Sequence, residues 1–274
     1  MMKTTNKIFI LLILGSFVLA SCSTIPIIGR KQMNLVPEST MLQLSLTNYQ
    51  TFLKENKLSQ DLAATRMVKT AGNRISIAVN RFLFKNGLAD DLANFQWEFN
   101  LVADATPNAW CMPGGKVVVY EGLLPVTRNE TGLAVVMGHE IAHAVAHHGN
   151  ERMSQGLMQE LGGIALQKAV ETQPQQTRQI FEIAYGIGAQ LGYILPYSRL
   201  HESEADRMGL IFMAMAKYDP NEAVAFWERM AAMNKGAKPP VWLSTHPLDE
   251  TRIAALKANL PEATKYYQEA LAGK

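Results

Sequence analysis

The spacing of apolar residues divides the chain into helices around one short extended region. Met41 to Leu53 and Leu58 to Phe84 repeat apolar positions at helical intervals. In the second, Leu62, Met67, Val68, Ala71, Ile75, Ile77, Ala78 and Phe82 form a stripe, and Lys85-Asn86-Gly87 ends it. Phe95 to Leu101 alternates instead, with Phe95, Trp97, Phe99 and Leu101 on one side, as a half-buried strand does. Asn108 to Met112 and Lys116 to Tyr120 flank Pro113-Gly114-Gly115, the pattern of a hairpin. Together these runs predict a small antiparallel sheet whose outermost strand is free to pair with an extended peptide. Leu133, Val136, Met137, Ile141, Ala144 and Val145 then return to helical spacing. Thr127 and Glu130 stand in capping-box relation before them, and Gly149 follows as a stop. Glu151 to Tyr193 is amphipathic and helical in pattern, interrupted by Gly162-Gly163 and Gln173-Pro174. Helices are also expected from Ser198, over Asn221 to Asn234 and over Asp249 to Asn259, with Lys235 to Pro240 as a loop. The expected class is α+β, mainly helical, with the small antiparallel sheet packed beside the helix of residues 133–145.

The N-terminus follows a different pattern. Lys3 and Lys7 precede an apolar run from Ile8 to Ala20 that is short for a membrane span. Leu19-Ala20-Ser21-Cys22 follows and resembles a bacterial lipobox, in which the cysteine is lipidated and becomes the mature N-terminus. An ordinary secretory signal with a chance cysteine is the plainer alternative. On the first reading, residues 1–21 are removed, 22–40 form a lipidated tether and 41–274 form one domain. Ser23 after the acylated cysteine resembles the enterobacterial signal for transport to the outer membrane. Cys111 is then left without a partner and reads as a small buried hydrophobe rather than a nucleophile. The formal net charge of +2 over 274 residues argues against a nucleic-acid partner.

The helix of residues 133–145 carries His139-Glu140-Ile141-Ala142-His143. Residues four apart share a helical face, so the two imidazoles converge on a single zinc ion. Glu140 is set to take a proton from a water that the metal activates. Two exposed polar histidines would be the bland explanation. The capping signals and the apolar spacing make the segment a partly buried helix, which argues against it. None of the six histidines precedes His139. A zinc-dependent hydrolase, and among these a peptidase, is expected.

A catalytic zinc site has three protein ligands and keeps one position for water. An extended H-E-x-x-H-x-x-G-x-x-H site fails here, because Ala146 and Gly149 stand where glycine and histidine are required. His147 continues the face of His139 and His143 but lies a turn too far, and His148 reads as structural. Ser198 to Asp206 (SRLHESEAD) offers Glu202 and Asp206, four apart on one helical face. Glu202 is the candidate third ligand, with His201 as an alternative that its neighbours do not support. Asp206 is placed to accept the outer N–H of a ligating histidine. Ala205 and Gly209 are small enough for close helix approach, and Glu204 is expected in solvent.

His-Glu-Ile-Ala-His with Glu-Ser-Glu-Ala-Asp about sixty residues later resembles the M48 family of gluzincin metallopeptidases. The likeness runs from about Leu35 to Leu256 and includes Asn108-Ala109-Trp110, Pro113-Gly114-Gly115, Ser198-Arg199 and Ser244-Thr245-His246-Pro247 with Arg252. With the lipobox, the chain is similar to the periplasmic lipoprotein members. The resemblance implies a zincin-like fold, one zinc on His139, His143 and Glu202, Glu140 as general base and Asp206 behind the ligands. It places Asn108, Ala109 and Trp110 on the edge strand that holds the substrate backbone. It sets His246 near the metal, to stabilise the oxyanion or to occupy the open position and hold the enzyme inactive; a turn residue before Pro247 is the alternative. The chain departs from integral-membrane members in lacking spanning helices. It departs from members with helical-repeat extensions in ending soon after Leu260.

The expected function is a zinc-dependent endopeptidase of the bacterial cell envelope. Its partners would be unfolded or misassembled envelope proteins as substrates, and the membrane through a lipid on Cys22, at the outer membrane facing the periplasm. The rival is an envelope assembly or quality-control binding factor with little or latent proteolysis, using Gly156 to Leu195 as its binding surface. A purely structural zinc site would leave Glu140 without a purpose.

Overall fold

The computed structural model describes residues 22–161, 175, 177, 198–234, 241–247 and 250–273. The expected signal segment, most of the 151–193 stretch and the 235–240 loop lie outside the described residues. In chain order the elements are β1 (Cys22–Thr24), β2 (Lys31–Met33), α1 (Glu38–Glu55), α2 (Leu62–Lys85), α3 (Ala89–Ala93), β3 (Glu98–Val102), β4 (Ala109–Met112) and β5 (Lys116–Tyr120). A short turn of helix follows as α4 (Leu124–Thr127), then α5 (Glu130–Val145), α6 (His148–Leu161), α7 (Arg199–Met215), α8 (Glu222–Asn234), α9 (Val241–Thr245) and α10 (Glu250–Leu271). The fold is α+β and mainly helical, as the apolar pattern predicts. Among the described residues, no helix is long and apolar enough to cross a membrane.

The central sheet has the order β3-β5-β4. The hairpin of β4 and β5 is antiparallel, but β3 pairs with β5 in parallel, so the sheet is mixed rather than antiparallel. In the central strand β5, Val117, Val118 and Val119 are fully buried, with side chains on both faces of the sheet. The order leaves β4 as an edge strand. One face of the sheet (Phe99, Leu101, Ala109, Cys111, Val117, Val119) joins the main core with α2 and α5. The other (Val102, Trp110, Met112, Val118) packs under α1 with Met41, Tyr49 and Phe52. Trp110 meets the ring of Phe52 edge-on at 5.0 Å.

Caps set the helix ends more sharply than the apolar pattern does. Asp61 begins α2 by accepting from the N–H groups of Ala63 and Ala64. At α5 the cap is Asn129, whose Oδ1 accepts from Gly132 N–H, and not the expected Thr127. Arg128 has φ +66, which turns the chain between the two positions. The far end of α5 also differs from expectation. His147, at φ +54, takes the left-handed conformation that glycine usually supplies and ends the helix before Gly149. It therefore does not continue the face of His139 and His143. α10 runs past the expected Asn259 and through Pro261, because Ala263, Tyr266 and Tyr267 still meet the core.

The residues expected as a loose tether are folded. β1 and β2 pair antiparallel, and Ile25 is buried in the main core. Gln32 Nε2 donates to Ala146 O at 2.7 Å, Leu35 N–H to Ser154 Oγ at 2.9 Å, and Asn150 Nδ2 to Val36 O at 2.9 Å. The polar composition that suggested a tether supplies hydrogen bonds to the end of α5 and to α6.

Candidate metal centre

Two helices meet where neither has a side chain. A Cβ on Gly209 would come within 2.9 Å of His139 N, and one on Gly138 within 2.9 Å of Gly209 O. Glycine at both positions lets the backbones of α5 and α7 touch. The close approach expected of Ala205 and Gly209 is what the fold uses, with Gly138 as the unrecognised partner.

At this crossing α5 presents His139 and His143, α7 presents Glu202 and Asp206, and the end of α9 brings His246. One donor atom from each of His139, His143, Glu202 and His246 lies within 4.8 Å of all the others, and all four residues are buried. His139 Nε2 is 3.0 Å from His143 Nε2 and 3.1 Å from His246 Nδ1. Glu202 Oε1 is 3.0 Å from His246 Nδ1 and 3.3 Å from His143 Nε2. In a tetrahedral site with bonds of about 2.0–2.1 Å, neighbouring donors stand about 3.3–3.4 Å apart. The cluster matches that edge length to a few tenths of an ångström.

The charges fit a divalent cation as well. Glu140, Glu202 and Asp206 are buried carboxylates, and Arg252 is the buried cation set against them. Counted with the histidines neutral, as metal ligation requires, three carboxylates and one guanidinium sum to −2, which a doubly charged metal neutralises. Burial opposes charge on Glu202, yet Arg252, His246, His139 and His143 hold it well below the usual carboxylate range. Burial also opposes charge on His139, but Asp206 and Glu202 push its pKa up to about 9. At His143, by contrast, burial holds the pKa well below the usual imidazole range and favours the neutral ring.

Surrounding residues hold the side chains of the cluster in place. Asp206 Oδ1 lies 2.9 Å from His139 Nδ1, which leaves Nε2 for the metal. Arg252 forks onto Asp206 at 2.6 and 2.9 Å, reaches Glu202 Oε2 at 2.6 Å, and stacks 3.6 Å over the Trp227 ring. Trp242 Nε1–H donates to Glu140 Oε1 at 2.7 Å, and His246 Nε2 is 3.4 Å from the same oxygen.

The other candidates fall as follows. Asn108 immediately precedes β4, and Ala109 and Trp110 are its first residues; Trp110 turns its ring away from the cluster, into the core beneath α1. Cys22 opens β1, and its side chain lies outside the described residues. His201 is not in the cluster; its Nε2 is 2.9 Å from Glu151. Glu204, expected in solvent, is buried and bound by Arg30 and His148. The N-terminal hairpin covers that side of α7, which a local reading does not reveal.

Several participants went unrecognised. Arg252 entered only as part of a pattern, and Trp227 and Trp242 not at all. Trp242 had a usable signal, since it stands four residues before His246, one helical turn away.

A model of peptidase family M48 matches residues 73–260. The chain belongs to peptidase family M48. Mitochondrial metalloendopeptidase OMA1 of Schizosaccharomyces pombe is 35% identical over 217 residues, covering 76% of this chain and 62% of the relative. The human metalloendopeptidase OMA1, mitochondrial, is 28% identical over 247 residues, 88% of this chain and 46% of the relative. A putative beta-barrel assembly-enhancing protease of Vibrio cholerae is 34% identical over 162 residues, 57% of this chain and 33% of the relative. The chain thus spans between about a third and three fifths of the length of these curated relatives. Zinc is the cofactor of this M48 chain, and the buried His/Glu cluster fits it.

Proposed function

We propose that this M48 chain is a zinc-dependent endopeptidase whose metal is held by His139, His143 and Glu202. The convergence of these three side chains with Glu140 at their side carries the reading. Zinc bound there supplies Lewis acidity toward a scissile carbonyl and toward water. Glu140 accepts the proton of the attacking water and returns it to the leaving amine. Asp206 and Arg252 keep His139 in the tautomer that offers Nε2. β4, as an edge strand packed beside α5, aligns an extended peptide through Asn108, Ala109 and Trp110. One equivalent of zinc with casein cleavage lost in Glu140→Gln is the expected result. Equal cleavage by both would remove Glu140 from this role.

The relatives with printed roles in β-barrel assembly, together with the lipobox-like Leu19 to Cys22, support a place in the bacterial cell envelope. On this reading Cys22 is acylated, the protein sits at the outer membrane facing the periplasm, and unfolded or misassembled envelope proteins are its substrates. Labelling with a palmitate analogue should mark the wild type and not Cys22→Ala. Label on both would refute the anchor.

A latent form of the same enzyme is favoured by α9. That short helix places Trp242 on Glu140 and His246 among the zinc ligands. Trp242 N–H also donates to Pro107 O at 3.2 Å, just before the edge strand. One element thus engages the base, the fourth coordination position and the entrance to β4.

A further inference from the structure

A second buried polar cluster lies directly behind the metal centre. His143 Nδ1 is 2.9 Å from His148 Nδ1, and His148 Nε2 is 3.0 Å from Glu204 Oε2. Both oxygens of Glu204 are taken by Arg30, at 2.6 Å from Nε and 3.0 Å from NH2. The same guanidinium donates to both oxygens of Glu151 at 3.0 and 2.8 Å. Arg30 belongs to the turn between β1 and β2, far in sequence from every other member. The guanidinium thus bridges the two carboxylates.

Proton placement follows from the distances. A histidine that binds metal through Nε2 carries its proton on Nδ1. His143 Nδ1–H then donates to His148 Nδ1, which leaves His148 protonated on Nε2 and donating to Glu204. Glu204 can take that bond in one orientation, because the Arg30 fork holds its carboxylate plane. Donation thus converges on Glu204, from Arg30 on one side and from His143 through His148 on the other, and the four side chains are linked without a gap. The linkage ends on a zinc ligand and begins on the N-terminal hairpin.

We propose that Arg30, Glu204 and His148 are positioning residues that make docking of the N-terminal hairpin a condition for tight zinc binding. The inference rests on zinc binding by His139, His143 and Glu202. Groups that fix the tautomer and ring of a ligating histidine typically set metal affinity by about 10–100-fold. Coupling of this kind is reciprocal: zinc must also stabilise the docked hairpin.

The test is zinc competition against a fluorescent chelator on the wild type, Arg30→Met, Glu204→Gln and Arg30→Lys. Arg30→Met and Glu204→Gln should each weaken zinc by about tenfold or more, with Arg30→Lys in between. Cobalt(II) in place of zinc should show shifted visible bands in the two weakened variants. Arg207→Ala serves as control: residue 207 lies on α7, as Glu204 does, and the substitution breaks an ion pair to Glu262 of α10 without touching Arg30, Glu204 or His148. Wild-type affinity and cobalt spectrum in Arg30→Met and Glu204→Gln would overturn the proposal, as would an equal loss in Arg207→Ala. If those variants do not fold, hydrogen exchange on the wild type decides. Zinc should slow exchange across residues 23–36, and unchanged exchange refutes the coupling. A wild type that binds no zinc would instead refute the metal centre itself.

Discussion

The indole N–H of Trp242 is bonded to the carboxylate of Glu140 at 2.7 Å, so the residue suited to activate water is already engaged. His246, one turn further, stands 3.1 Å from His139 Nε2. A catalytic zinc needs an open position, and on the reading proposed above His246 stands where that position would be. His246→Ala should keep one equivalent of zinc on three ligands and cleave casein several-fold faster than the wild type. Slower cleavage would place His246 on the reaction path, as an oxyanion donor.

The contact of Gly138 with Gly209 predicts a strict size limit. The atoms that a Cβ on residue 209 would strike are backbone atoms, which cannot rotate aside. Gly209→Ala should cost about 1–3 kcal/mol, as overpacking does, and should lower zinc content by separating Glu202 from the α5 histidines. Urea denaturation and metal analysis read the two effects separately. Wild-type values in both would mean that the helices part without cost.

Arg252 is buried against Asp206 and Glu202 and under Trp227. Removing one partner of a buried charged pair typically costs about 3–5 kcal/mol, because the other is left uncompensated. Arg252→Ala should fall in that range by denaturation of the zinc-loaded protein. Arg252→Lys should recover only part, since an ammonium cannot make the fork to Asp206. A neutral Arg252→Ala would show that zinc alone balances the carboxylates.

Glu151 predicts the acid limb of stability. Burial opposes its ionisation, but hydrogen bonds from His201 and Arg30 bring its pKa from 4.5 down to about 2. Between those values the unfolded chain binds more protons than the folded one, so stability rises with pH. The contribution is full above about 4.5 and is lost as pH falls toward 2. Arg30→Met should flatten this limb in denaturation measured from pH 5 to pH 2.5. An unchanged limb would put the acid sensitivity elsewhere.

The elements that the sequence revealed are those whose signals are local. α2, the hairpin of β4 and β5, and α5 with His139 and His143 follow from periodicity within one segment. Glu202 and Asp206 were legible for the same reason, a spacing of four on one helix. Strand order was not, because alternation marks faces and not neighbours. The N-terminal hairpin carries no local signal, because its polar residues bond to α5 and α6, more than a hundred positions away.

By itself the sequence determined a mainly helical α+β chain with two histidines and a glutamate suited to zinc, since helical period and residue chemistry act over a few residues. Only the tertiary structure decided that His246 stands among them rather than serving as a turn residue before Pro247, that Trp242 holds Glu140, and that Glu204 is buried under Arg30 rather than solvated. Each of these depends on which distant element covers a given face. That choice is made by packing over the whole chain, through contacts such as the one between Gly138 and Gly209 that leave no local periodicity to read.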